Sequence, residues 1–205
     1  PHRRDLWQGG LDELQQTYGR VAAAIAPHAR VCVNAAEPLH PGIRQAMQAA
    51  GVREDQYRLF NHPANDVWCR DHGPVFVQDM EDGSLMLADW QFNAWGGKFA
   101  PWDLDNGIPS LIGASLGLPV RSSSMVLEGG AIEGNGDGLL VTTESVLLNP
   151  NRNPEWSRAM IEEELRRMLG ARSIFWLGSG IEGDDTDGHI DDMVRFVCRD
   201  AVVSI

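Results

Sequence analysis

The sequence predicts an α/β fold built from repeated strand–strand–helix–strand units, on three observations. Short apolar strand-like runs alternate with segments of helical spacing along the 205 residues. The order strand, strand, helix, strand occurs twice and opens a third time. The polar segments that precede the rounds hold Asp71, Glu128 and His189, spaced 57 and 61 residues apart. A period of about 60 residues is longer than that of the common solenoid repeats.

Ahead of the repeats, Leu11, Leu14, Tyr18, Val21 and Ile25 recur at helical spacing, and Pro27 stops that helix. Residues 31–33 read as a short buried strand, 41–50 as a helix ended by Gly51, and 57–60 as another strand. In the first round, 75–78 and 85–92 pair across the Glu81-Asp82-Gly83 turn. A helix at about 108–116 follows, closed by Gly117 and Pro119, then a strand near Met125. The second round reads as strands 131–133 and 139–142 with 145–148, a helix at 155–169 and the strand 173–177. Asn153-Pro154 starts that helix and Gly170 ends it. The third round opens with strands 193–197 and 201–205. Each unit has a sheet face that it cannot bury alone, so the copies are expected to pack around a common axis and turn their polar segments towards it.

The composition, 43% hydrophobic and 22% charged, is that of a soluble globular chain able to form one domain over residues 1–205. No apolar run is long enough to span a membrane. The opening Pro-His-Arg-Arg-Asp-Leu-Trp has no apolar stretch behind its positive charges, so it does not read as a signal peptide. A net charge of −12 disfavours nucleic acid and anionic membrane as partners and suits a small cationic substrate, although acidity also serves solubility alone. Cys32, Cys69 and Cys198 lie far apart without a CxxC pair, which suits a reducing cytoplasmic setting.

The densest polar segment runs from Gly183 to Asp192. If residues 189–191 start a strand, His189 and Asp191 share a face, and a proton-transfer group lies beside a cation anchor. A solvated acidic loop is the plainer alternative. A calcium loop is excluded: with Gly188 at its sixth position, Gly183 falls first and Val194 twelfth, where carboxylates are required. The other histidines show no zinc-ligand spacing with His189, so no metal is expected. Asp71 follows an apolar strand start and precedes Gly73-Pro74, where a turn aspartate paired with Arg70 is the ordinary reading. Glu128, between Met125-Val126-Leu127 and Gly129-Gly130, is a carboxylate at a buried strand end that needs a partner. One carboxylate per repeat, aimed at one axis, would surround a planar guanidinium.

The motifs in order, Asn65-Asp66-x-Trp68-x-Arg70-Asp71-x-Gly73-Pro74, Asn93-x-Trp95-Gly96-Gly97-Lys98, Leu127-Glu128-Gly129-Gly130, Asn149-Pro150-Asn151-Arg152-Asn153-Pro154 and Asp187-Gly188-His189-x-Asp191, resemble the agmatine deiminase family, also called the Porphyromonas-type peptidylarginine deiminases. The resemblance spans nearly the whole chain. It implies a five-bladed α/β propeller of ββαβ units, with roughly the first three blades here, starting near 71, 128 and 189. It implies that Asp71 and Asp191 hold the substrate guanidinium, that His189 is the general acid/base, and that Glu128 orients the histidine and contacts substrate. Trp68 and Trp95 are expected to line the substrate channel, or to pack as core aromatics. The implied reaction passes through a cysteine thiouronium intermediate and uses no cofactor. Agmatine, peptidyl-arginine and a catalytically inactive guanidinium-binding module remain open.

The family's nucleophile lies near its C-terminus, and none of the three cysteines matches it. Cys198 and Cys32 read as structural strand residues. Cys69 is the only challenger, since it would share a strand face with Asp71. The expectation is therefore a C-terminally incomplete domain without turnover of its own. Its exposed apolar blade edges would favour self-association.

Overall fold

A computed structural model describes residues 1–7 and 9–205, and the chain divides into two compact units, Pro1–Val67 and Trp68–Ile205. In the first unit, α1 (Leu11–Ile25) precedes β1 (Val31–Ala35), α2 (His40–Ala49) and β2 (Tyr57–Asn61). β1 and β2 pair in parallel, Val31 opposite Tyr57, and α2 provides the crossover that a parallel pair requires. Ala22, Met47, Val52 and Tyr57 form the core of this unit.

The second unit opens with a helical turn, α3 (Cys69–His72), and then repeats one architecture. β3 (Val75–Gln78) and β4 (Leu85–Gln91) pair antiparallel. After the short turns α4 (Ala94–Gly97) and α5 (Asp103–Asn106), helix α6 (Ile108–Leu116) carries the chain back. β5 (Val120–Val126) then joins β4 in parallel. β6 (Ile132–Gly134), β7 (Leu139–Thr143), α7 (Glu144–Leu147), α8 (Arg158–Leu169) and β8 (Ser173–Leu177) do the same, antiparallel and then parallel. β9 (Val194–Cys198) and β10 (Ala201–Ser204) form a third antiparallel pair. The leading strands start at Val75, Ile132 and Val194, close to the spacing read from the sequence. The sheets are small, the two three-stranded ones are mixed, and none among the described residues closes into a barrel.

The two full repeats share a core. Ala88, Trp90, Met125, Leu127, Ile132, Val146, Leu147, Ile161, Leu165 and Met168 pack in one cluster. Ile161, Leu165 and Met168 recur at helical spacing on α8, so one face of that helix is sealed on the sheets. Fully burying such a side chain stabilises by about 1.5–3 kcal/mol. Other apolar strand residues, including Phe76, Phe175, Val197 and Val203, remain exposed. No helix among the described residues is long and apolar enough to cross a membrane.

Four local expectations are corrected. Residues 145–148 are not a strand, because Glu144–Leu147 winds into α7 and buries Val146 and Leu147 against the shared core. Helix α8 starts at Arg158, later than Asn153-Pro154 suggested, because the Ser157 side chain accepts a hydrogen bond from Met160 N and caps it there. The segment around Asp71 is the helical turn α3, so Cys69 and Asp71 do not share a strand face. Residues 190–192 form a 3-10 turn headed by His189, so His189 and Asp191 do not alternate along a strand either.

Candidate active site

Three turns of the second unit bring the polar segments together. α3 carries Asp71, the 3-10 turn Gly129–Ala131 follows Glu128, and the turn Ile190–Asp192 follows His189. Asp71 is buried, and its carboxylate accepts hydrogen bonds from Trp95 Nε1 and Gly130 N, both at 3.1 Å. Gly130 must be glycine for this approach, since a Cβ there would overlap His189 Nδ1 and lie 2.8 Å from Asp71 Oδ1. Trp95 sits in the left-handed region at φ 56°, an unusual conformation for a bulky residue. It is held by its bond to Asp71 and by edge contacts with Trp68, Phe92 and Phe99.

His189 is 3% exposed and lies between two carboxylates. Its Nδ1 is 3.7 Å from Asp71 Oδ1, and its Nε2 is 4.0 Å from Glu128 Oε2. Glu128 is 0% exposed and gives its other oxygen, Oε1, to Arg152 Nε at 2.9 Å. Among the described residues, neither Glu128 Oε2 nor His189 Nε2 has a hydrogen-bond partner. Buried polar atoms are seldom left so, and the exceptions concentrate where a ligand binds or chemistry occurs.

The loop carrying His189 is fixed through its backbone. Asp184 Oδ2 accepts from Gly188 N at 3.1 Å and from His189 N at 3.2 Å, and Thr186 Oγ1 accepts from His189 N at 3.0 Å. Thr143 at the end of β7 donates to Gly188 O at 2.8 Å, tying the loop to the sheet.

Burial dominates the electrostatics. It pushes the Asp71 carboxyl up to about 6, with Glu128 and Asp191 adding to the rise while the Gly130 and Trp95 hydrogen bonds oppose it. It pushes His189 down to about 4; Asp191 and Asp184 resist, whereas Arg152 and Arg70 assist. It also raises Glu128 above the usual carboxylate range, against the pull of the Arg152 charge. At neutral pH His189 is therefore a neutral imidazole, able to take a proton, beside carboxylates that suit a cation.

Of the residues singled out in the sequence, Asp71, Trp95, Glu128 and His189 form one connected cluster. Asp191 borders it differently: its carboxylate is taken by Arg70 Nε at 3.1 Å and Arg195 at 3.7 Å. Trp68 is 47% exposed; its ring meets Trp95 edge-on, and its backbone carbonyl accepts from Asp71 N at 2.9 Å. Cys69 has an exposed face, but the protein packed around its sulfur, together with Asp71, raises the thiol above its ordinary range. Cys32 and Cys198 are free and exposed. No group of His, Cys, Asp and Glu among the described residues could hold a metal ion.

Arg152, Asp184 and Asp187 belong to the same network without having been assigned a role. Arg152 stands between Asn149-Pro150-Asn151 and Asn153-Pro154, a run of turn formers that reads as a surface loop. Nothing local signals that its side chain is wholly buried.

The sequence profile of the Porphyromonas-type peptidyl-arginine deiminases matches residues 1–205. An agmatine deiminase of Medicago truncatula is 40% identical over 215 residues, covering 99% of this chain and 56% of that protein. One of Stutzerimonas stutzeri is 39% identical, covering 96% of this chain and 53% of that protein. Among solved structures, an agmatine deiminase of Enterococcus faecalis described as catalyzing its reaction superposes with a TM-score of 0.87 at 32% identity, over 96% of this chain and 53% of that one. A serine-for-cysteine variant of C. jejuni agmatine deiminase with substrate bound gives a TM-score of 0.85 at 30% identity, over 97% and 57%. The chain thus spans about half the length of the curated relatives it matches.

Proposed function

The chain belongs to the Porphyromonas-type peptidyl-arginine deiminase family, and we propose that it carries the guanidinium-holding and proton-transfer side of an agmatine deiminase. The observation that carries this reading is a buried imidazole with a carboxylate facing each ring nitrogen. Asp71 lies on the Nδ1 side, and the unpaired Oε2 of Glu128 lies on the Nε2 side. Such a site compensates a planar cation and moves protons at its edge. The names of the relatives support agmatine as substrate.

In the proposed reaction, the guanidinium lies against Asp71 and Glu128, with Asp191 as a further carboxylate and Trp68 and Trp95 along its alkyl chain. Neutral His189 takes the proton of a cysteine thiol, and the thiolate attacks the guanidinium carbon. The imidazolium returns that proton to the departing nitrogen, so ammonia leaves and a thiouronium remains. His189 then accepts a proton from water as the oxygen attacks. Collapse releases N-carbamoylputrescine, a putrescine precursor in chemical terms; the hydroxyl proton restores the thiol, and the imidazolium gives its proton to the released ammonia or to solvent. The carboxylates fix the carbon for attack and balance its charge. No cofactor enters this scheme.

The nucleophile is proposed to come from outside these residues. Cys69 is held as a thiol, and Cys198 Sγ donates to Asp200 at 3.1 Å. That the substrate-bound C. jejuni relative carries serine for cysteine supports a cysteine nucleophile in the family. The five-bladed propeller and a cytoplasmic location are parts of the same proposal.

Peptidyl-arginine deimination is the second reading, favoured by the family description. Product analysis by mass spectrometry on the complete protein separates the two. Carbamoylputrescine from agmatine, with no citrulline formed in an arginine-containing peptide, is the expected result. The reverse pattern would replace agmatine with peptide as substrate.

A further inference from the structure

Arg152 is not one of the residues through which the site would touch substrate, yet its side chain is fully buried and divided between two elements. Its Nε donates to Glu128 Oε1 at 2.9 Å. Its Nη1 donates to Asn151 Oδ1 at 2.9 Å and also to Asp187 Oδ2 in a close charged contact. Its Nη2 donates to Thr186 O at 2.9 Å. One planar cation thus grips the carboxylate at the end of β5 and the loop that presents His189. The loop is closed from outside as well, since Lys98 Nζ lies 2.7 Å from Asp187 Oδ1 and Asn151 Nδ2 lies 3.1 Å from Asp187 Oδ2.

We propose that Arg152 is a positioning residue of the deiminase site: it occupies one oxygen of Glu128 and anchors the His189 loop through Asp187 and Thr186, so that a single oxygen, Oε2, is turned towards His189. This inference rests on the deiminase reading given above. Its physical content is a division of labour within Glu128. A carboxylate with both oxygens free could rotate or take a substrate guanidinium from several directions. With Oε1 fixed to an internal guanidinium, Oε2 stays at one place, 4.0 Å from His189 Nε2. Arginine fits this task where lysine does not, because four partners served by three nitrogens need a rigid, forked donor. The side chain also supplies the positive charge that favours ionised Glu128 in a site whose burial opposes it.

The test uses the complete protein with agmatine and follows kcat, KM and the pH profile, with folding checked by circular dichroism. Arg152→Lys keeps the charge but not the fork, and the expected result is a fall in kcat of about tenfold or more with KM nearly unchanged. Arg152→Gln removes the charge that favours ionised Glu128, so the acid limb of kcat/KM moves to higher pH. Asp187→Asn removes a negative charge that disfavours ionised Glu128, so its acid limb moves to lower pH while kcat falls. Opposite shifts from two partners of one ion pair are not expected of a residue that merely supports the fold. Folded variants with wild-type kcat and an unmoved profile would overturn the inference. If the Arg152 variants do not fold, Asp187→Asn decides: a downward shift with reduced kcat supports it, and an unchanged profile overturns it. A wild-type protein that releases no ammonia from agmatine removes the deiminase reading itself, a different result from active enzyme with indifferent variants.

Discussion

His189 illustrates how one residue's environment sets its chemistry. A histidine at its ordinary value of 6.5 would be partly charged near neutrality, whereas burial holds this one down to about 4. The sign of the linked stability follows directly. As pH falls from 6.5 towards 4, the unfolded chain takes up the His189 proton and the folded chain does not, so folding loses up to about 3 kcal/mol from this residue. Asp71, raised to about 6, acts in the opposite direction over much of the same window and masks the loss in the wild-type curve. Comparison with His189→Gln removes the mask. By urea denaturation, the variant's stability relative to wild type should rise by about 2–3 kcal/mol between pH 6.5 and pH 4; a constant difference would show that His189 is not held neutral. The identities of Asp71, Glu128 and His189 were legible because carboxylates and a histidine recur at one period. Arg152 was not, because burial of an arginine arises from contacts 24 and 35 residues away in sequence, with Glu128 and Asp187.

At the scale of elements, the site depends on three short turns meeting closely. Gly130 is where the tolerance is smallest, with its backbone N–H on Asp71 and no room for a side chain before His189. Gly130→Ala should therefore push the turn away from α3, cost about 1–3 kcal/mol of stability and lower activity far more than the loss of folded protein explains. Thermal unfolding and turnover measured together check this, and an active variant of wild-type stability would contradict the packing described. The long elements could be read from the sequence because their apolar spacing is sustained, as in α1, α6 and α8. The turns could not. Asp71 and His189 sit in single-turn segments too short to carry a period, and tertiary contacts bend them out of the extended form that a local reading gives. Residues 145–148 were misread for a related reason: four residues with two buried apolar side chains suit a strand or a helical turn equally.

For the molecule as a whole, the repeated antiparallel-then-parallel sheets place one polar turn at the head of each repeat. Three such turns form the cluster around His189. The order of elements and the period of the repeat were visible in the sequence. What could not be read was how close the turns come, since that is set by packing between repeats. The proposed role of this cluster is to hold the guanidinium and move its protons during hydrolysis. Its most direct test is ammonia release from agmatine by the complete protein, beside the Glu128→Gln and His189→Gln variants. The expected result is one ammonia per carbamoylputrescine in the wild type and a loss of at least about a hundredfold in each variant. No release by the wild type, or release undiminished in folded variants, would contradict it.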